Sequence, residues 1–126
     1  MRKLAMVVAL VVLVVPLVAG VALATDQIIQ CRSKPCYGTG NDDLIYERVG
    51  NGKDDTIILR GGRDKVLTSA YRNDRDVVKG GKGRDRINVA DGDSRDKASG
   101  NDGGHDFCIV DSRAELGPGC EGHTIQ

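Results

Sequence analysis

The hydrophobic pattern divides the chain in two. An uncharged run from Leu4 to Ala24 stands directly behind Arg2 and Lys3, and beyond it the apolar positions are short and recur in phase. Each follows a turn rich in Gly or Asn and stands two residues after an Asp, as in Asp42-Asp43-Leu44, Asp55-Thr56-Ile57, Asp64-Lys65-Val66 and Asp76-Val77-Val78. Asp85-Arg86-Ile87, Asp96-Lys97-Ala98 and Asp106-Phe107-Cys108 complete seven turns. Taken alternately, their Asp fall at 42, 64, 85 and 106, with steps of 22, 21 and 21, and at 55, 76 and 96, with steps of 21 and 20. Two series of one period, offset by about half of it, predict a chain that turns twice per coil and stacks each coil on the last. Leu44, Val66, Ile87 and Cys108 on one side, and Ile57, Val78 and Ala98 on the other, then point inward as a thin core between two short parallel sheets.

Composition supports this architecture. Fifteen of the 18 acidic residues are Asp and only 3 are Glu, beside 17 Gly. Asp and Gly favour turns where Glu favours helices, which excludes a helical bundle. With 3 Tyr, 1 Phe and no Trp there is little to fill a large core, and a chain of 126 residues needs staples or repetition. Stacking coils about 4.8 Å apart pairs each short strand above and below and needs no aromatic residues. The ends of such a stack carry unpaired edges and need caps, expected over 25–36 and 111–126 around repeats spanning 37–110. After Cys108 the phase breaks. Gly117-Pro118-Gly119 stands where the next Asp is due, and Asp111 or Ser112 with Glu115 predicts one helical turn acting as a lid.

Ala22-Leu23-Ala24 closes the uncharged run with the small-x-small pattern of a signal-peptide cleavage site, which makes 1–24 a predicted signal peptide and the protein secreted; the alternative is an uncleaved anchor. Removing Arg2 and Lys3 leaves 16 basic against 18 acidic side chains, and no membrane span. Cys31, Cys36, Cys108 and Cys120 are then expected as disulfides. Three pairings are possible; proximity along the chain favours Cys31 with Cys36 and Cys108 with Cys120. Zinc ligation is the competing use, and neither pair has the C-x-x-C spacing. Balanced charge, with Arg alternating with Asp and few aromatics, argues against nucleic acid. His105 lies inside a repeat, His123 near the end, and no Ser sits in a nucleophile elbow, so no enzymatic activity is expected.

Gly80-Gly81-Lys82-Gly83-Arg84-Asp85-Arg86-Ile87-Asn88 is a complete G-G-x-G-x-D-x-U-x nonapeptide, and the other turns are degraded copies. The chain thereby resembles the haemolysin-type calcium-binding repeat, the RTX parallel β-roll, over about residues 37 to 110. The resemblance implies a right-handed all-β roll with Ca²⁺ held by Asp carboxylates and turn carbonyls of stacked turns. Carried over, the role of metal ligand falls on Asp42, Asp64, Asp85 and Asp106 on the Gly-rich side and on Asp55, Asp76 and Asp96 on the other. Ca²⁺ takes 6–8 hard oxygens, more than one short turn supplies, so two turns must share each ion.

The chain departs from the family in three ways. The turns of the second side are longer and carry Asn51, Asp54, Asn73, Asp74, Asp91 and Asp93, which are either further oxygen ligands or Asx-turn formers. A basic residue or His directly precedes the Asp in Arg63-Asp64, Arg75-Asp76, Arg84-Asp85, Arg95-Asp96 and His105-Asp106, with Lys53-Asp54 as a sixth case. Gly61-Gly62-Arg63-Asp64 and Gly103-Gly104-His105-Asp106 lack two turn positions of the full motif. Two functions remain in view. One is a secreted protein whose calcium binding is coupled to folding. The alternative is a calcium-independent structural or surface-interaction solenoid held by Asp and Arg ladders, with a protein or the cell envelope as partner.

Overall fold

The computed structural model describes residues 27–31, 35–46, 52–68 and 70–126. The expected signal peptide, 1–24, lies outside the described residues. The strands are β1 (Gln27–Gln30), β2 (Cys36–Tyr37), β3 (Asp43–Tyr46), β4 (Thr56–Ile58), β5 (Gly61–Gly62) and β6 (Lys65–Leu67). They continue as β7 (Val77–Lys79), β8 (Lys82–Gly83), β9 (Arg86–Asn88), β10 (Lys97–Ser99), β11 (Phe107–Val110) and β12 (Gly122–Ile125). One sheet has the order β1-β3-β6-β9-β11-β12 and the other β2-β4-β7-β10, while β5 and β8 pair at a turn. Every pairing is parallel and joins one coil to the next, the arrangement of a β-solenoid with two strands per coil.

The register follows from the repeat. Lys65 pairs with Arg86 and Arg86 with Phe107 on one sheet, and Ile57 with Val78 and Val78 with Ala98 on the other. Because side chains alternate across a strand, the Asp that opens each strand and the aliphatic residue two positions on face inward, and the residue between them faces out. Val66, Ile87, Cys108, Ile57, Val78 and Ala98 are all fully buried, as the pattern predicts. Each large aliphatic side chain so placed contributes about 1.5–3 kcal/mol of burial. Leu59 and Val89, just after β4 and β9, and Val110, at the end of β11, add a second inward position.

The first coil corrects the sequence register. Ile45, not Leu44, is the buried residue of β3, and Asp43, not Asp42, opens the row. A shift of one residue exchanges the faces of a strand, and Asp42-Asp43-Leu44-Ile45 satisfies the local pattern in either frame. The supposedly truncated Gly61-Gly62-Arg63-Asp64 turn is also complete. Ile58 pairs with Lys79 and Gly61 with Lys82, so Leu59 and Arg60 occupy the places of Gly80 and Gly81. Arg60 accepts the left-handed backbone that Gly81 adopts, with φ of 76° against 95°.

The end coils are shorter and stapled. Gln27 pairs with Asp43 only sixteen positions on, and Cys31 and Cys36 are bonded within that coil. At the other end Phe107 pairs with Gly122, and Cys108 is bonded to Cys120. The predicted lid is a single 3-10 turn, Arg113–Glu115, after which Leu116 bridges to Ala98. The coil geometry therefore continues past Cys108 rather than breaking there. Among the described residues no helix is long and apolar enough to cross a membrane.

Candidate metal centre

Each strand-opening Asp links two coils through its side chain. Asp43 N–H donates to Asp64 Oδ1 (2.8 Å), Asp64 N–H to Asp85 Oδ1 (2.9 Å) and Asp85 N–H to Asp106 Oδ1 (2.7 Å). On the second side Asp55 N–H donates to Asp76 Oδ1 (2.9 Å) and Asp76 N–H to Asp96 Oδ1 (2.8 Å). The backbone supplies the next bond, from Arg86 N–H to Asp64 C=O and from Lys97 N–H to Asp76 C=O. A carboxylate thus replaces the carbonyl that a longer strand would have offered, which is why a short-chain acid recurs at the first strand position.

Glutamates finish both rows. Asp96 N–H donates to Glu115 Oε1 (3.2 Å) and Asp106 N–H to Glu121 Oε2 (2.8 Å). Glu115 is fully buried, and its Oε2 also accepts the N–H groups of Asp111 (2.7 Å) and Ser112 (3.0 Å). Asp111 in turn accepts the Asp91 and Gly92 N–H groups on Oδ2, both at 2.8 Å. It is a structural hook between turns.

The second oxygens are another matter. Oδ2 of Asp64, Asp85 and Asp106, and of Asp76 and Asp96, is buried and has no hydrogen-bond partner. Burial raises Asp64, Asp76 and Asp96 to about 7 and Asp85 to about 6, opposed by the backbone N–H each accepts and reinforced by neighbouring carboxylates. Burial likewise raises Asp106, with Glu121 adding to the rise and His105 opposing it. For Asp64, Asp76, Asp85 and Asp96 the neighbouring charges that matter are other acids, and at Asp76 the Thr68 side chain opposes the rise. The Arg that precedes Asp64, Asp76, Asp85 and Asp96 is exposed on the opposite face, and the hydrogen bonds that join the coils along the rows run between Asp carboxylates and backbone N–H groups.

One group of carboxylates converges. An oxygen from each of Asp74, Asp76 and Asp96 lies within 4.8 Å of the others, and all three residues are buried. Asp74 and Asp76 come from the long turn before β7, where Asn73 takes a left-handed φ of 70° and its N–H is held by Asp93 Oδ2 of the next coil (2.6 Å). Asp96 is the stacked partner of Asp76. Asp91 adds its charge: it bears on Asp96, and burial holds its own carboxyl above the ordinary range, with Asp93, Asp111 and Asp74 adding to the rise.

Of the residues predicted from sequence, Asp76 and Asp96 meet in this group. Asp64, Asp85, Asp106 and Asp55 stand in the ladders, and Asp42 lies outside them, its Oδ1 accepting the Arg63 N–H (2.8 Å). Asp74, left open between ligand and Asx-turn former, is the third member. Glu115 and Glu121 were missed as row members because the step to each shortens to 19 and 15 residues and the residue type changes. Comparison of the chain with family models, curated proteins and solved structures returns no match.

Proposed function

We propose that this protein is a secreted calcium-binding β-solenoid in which Asp74, Asp76 and Asp96 hold the ion between two stacked coils, coupling ion binding to folding. The observation that carries the proposal is three buried carboxylates within 4.8 Å, two of them, Asp76 and Asp96, with an unpartnered buried oxygen and further acids as their charged neighbours. Buried anions so arranged require a proton or a cation. The donors are all hard oxygens, since the described cysteines are consumed as disulfides and no His joins the group. That set suits Ca²⁺, whose 6–8 oxygens are commonly drawn from carboxylates, carbonyls and water, better than zinc or copper. The two disulfides agree with an oxidising compartment, where calcium is plentiful. The resemblance of 37–110 to haemolysin-type repeats points the same way.

Melting followed by far-UV circular dichroism at pH 7.5, with calcium or with chelator, tests the proposal. Calcium at ten times its Kd stabilises by about 1.4 kcal/mol, a rise of about 5–10 °C for a domain of this size. Asp76→Asn should abolish that rise and, without calcium, melt higher than the parent, because it keeps an acceptor for the Asp55 N–H while removing a buried charge. Identical melting of the parent in calcium and chelator overturns the proposal.

A further inference from the structure

The formal neutrality of the chain conceals a segregated charge distribution. Every Lys and Arg among the described residues is exposed, whereas nine acidic side chains are buried. Four of the cations, Arg63, Lys65, Arg84 and Arg86, line one open groove along the face of β3, β6, β9 and β11. Lys65 and Arg86 are partners in register on adjacent strands, and Arg63 and Arg84 stand one place before the stacked Asp64 and Asp85. The four positions form a grid with about 4.8 Å between coils and roughly 6.6 Å between residues two apart along a strand. Asp42 stands at the edge of the groove, and Asp43, Asp64 and Asp85 lie buried beneath it with carboxylates turned to the backbone and the adjacent turn. Among the described residues no carboxylate is bound by these four side chains; Arg86 rests on the Phe107 ring, 5.2 Å from its centre.

We propose that this groove binds an acidic polysaccharide, an extended chain presenting carboxylate groups at regular intervals. Guanidinium groups match carboxylates two bonds at a time, and a grid of exposed cations gains from a ligand that repeats the same weak contact along its length. Single-stranded nucleic acid fits less well, because stacking needs a free aromatic face and that of Phe107 is covered by Arg86. A lipid surface fits less well because the four cations, rather than the partly buried Leu44 and Phe107, are the exposed side chains of the groove.

The test is titration of the oxidised protein with sodium hyaluronate in calcium-containing buffer at about 0.15 M salt, which separates it from the calcium proposal. Arg84→Gln with Arg86→Gln should weaken binding about tenfold, two exposed ion pairs being lost. Lys79→Gln with Lys97→Gln, an equal charge change on exposed positions of the other sheet, should weaken it less than about twofold, with circular dichroism confirming that both variants fold. Absence of hyaluronate binding, equal weakening by both double variants, or tighter binding to oligothymidylate or to anionic phospholipid vesicles overturns the proposal.

Discussion

Glu115→Ala should be among the most damaging single changes in the C-terminal coil. Glu115 is fully buried and takes three backbone N–H groups, from Asp96, Asp111 and Ser112, joining the last repeat to the cap. A buried donor stripped of its acceptor costs about 1–3 kcal/mol. Asp96 is buried and bears this in full, while Asp111 and Ser112 are partly exposed and recover some of it from water. Removing the glutamate also relieves Asp96 of one adjacent negative charge, which offsets part of the loss. The balance is a destabilisation of about 2–4 kcal/mol and a melting point lower by about 10 °C or more. Glu115→Gln keeps one acceptor oxygen and should fall between the two. Thermal melting gives the total, and amide hydrogen exchange shows where it is lost: the Asp96, Asp111 and Ser112 amides should all exchange faster. An unchanged melting point, or an Asp96 amide that stays protected while the other two are exposed, would refute the continuation of the carboxylate row into Glu115.

Two further outcomes follow from the same rows. In chelator, stability should fall as pH rises from about 4.5 to 7.5. The folded pKa values of Asp64, Asp76 and Asp96, about 7, and of Asp85, about 6, lie above the unfolded value of 3.8, so their contribution is present in full below that value and is lost through the folded ones. Glu121, lowered chiefly by the Asp106 N–H it accepts, acts oppositely but only at lower pH. A melting point that is flat or rises across the window counts against uncompensated buried carboxylates. Separately, Gly83→Ala should destabilise by about 2–4 kcal/mol, because Gly83 has a φ of 124° and a Cβ there would overlap the Gly62 carbonyl of the stacked coil. Gly40→Ala, with open space around it, should change urea stability by less than about 0.5 kcal/mol, and equal effects at the two sites would contradict the stacking of those turns.

The period was legible in sequence because each coil must return to the same place on the stack, so a residue with a fixed backbone task recurs at a fixed step. Asp met that condition, since its carboxylate accepts the N–H of the preceding coil at each step. The register of the first coil was not legible locally, because two acids precede two aliphatics at Asp42-Asp43-Leu44-Ile45; the uniform step of 21 from Asp43 through Asp64, Asp85 and Asp106 is what distinguishes the frames. The caps themselves were expected, but their Glu row members escaped because Glu, one methylene longer, serves coils that have shortened, and a search for Asp at constant spacing passes over it.

The carboxylate group was half legible for a related reason. Asp76 and Asp96 belong to the repeat, whereas Asp74 belongs to a turn whose length exceeds what the repeat requires, and only the fold brings that extra residue against the row. The same alternation explains what neutral composition hid. In each Asp-x-aliphatic strand start the inward places hold the acid and the core residue, and the residue between them, Lys65, Arg86 and Lys97 among them, is left outside. Counting charges therefore cancels two largely separate populations, carboxyls in the interior and cations on the surface, with Asp42 at the edge of the groove where they approach. A ligand for either population leaves the other uncompensated, so calcium bound within should make the surface field more positive, not less selective, for an acidic chain outside.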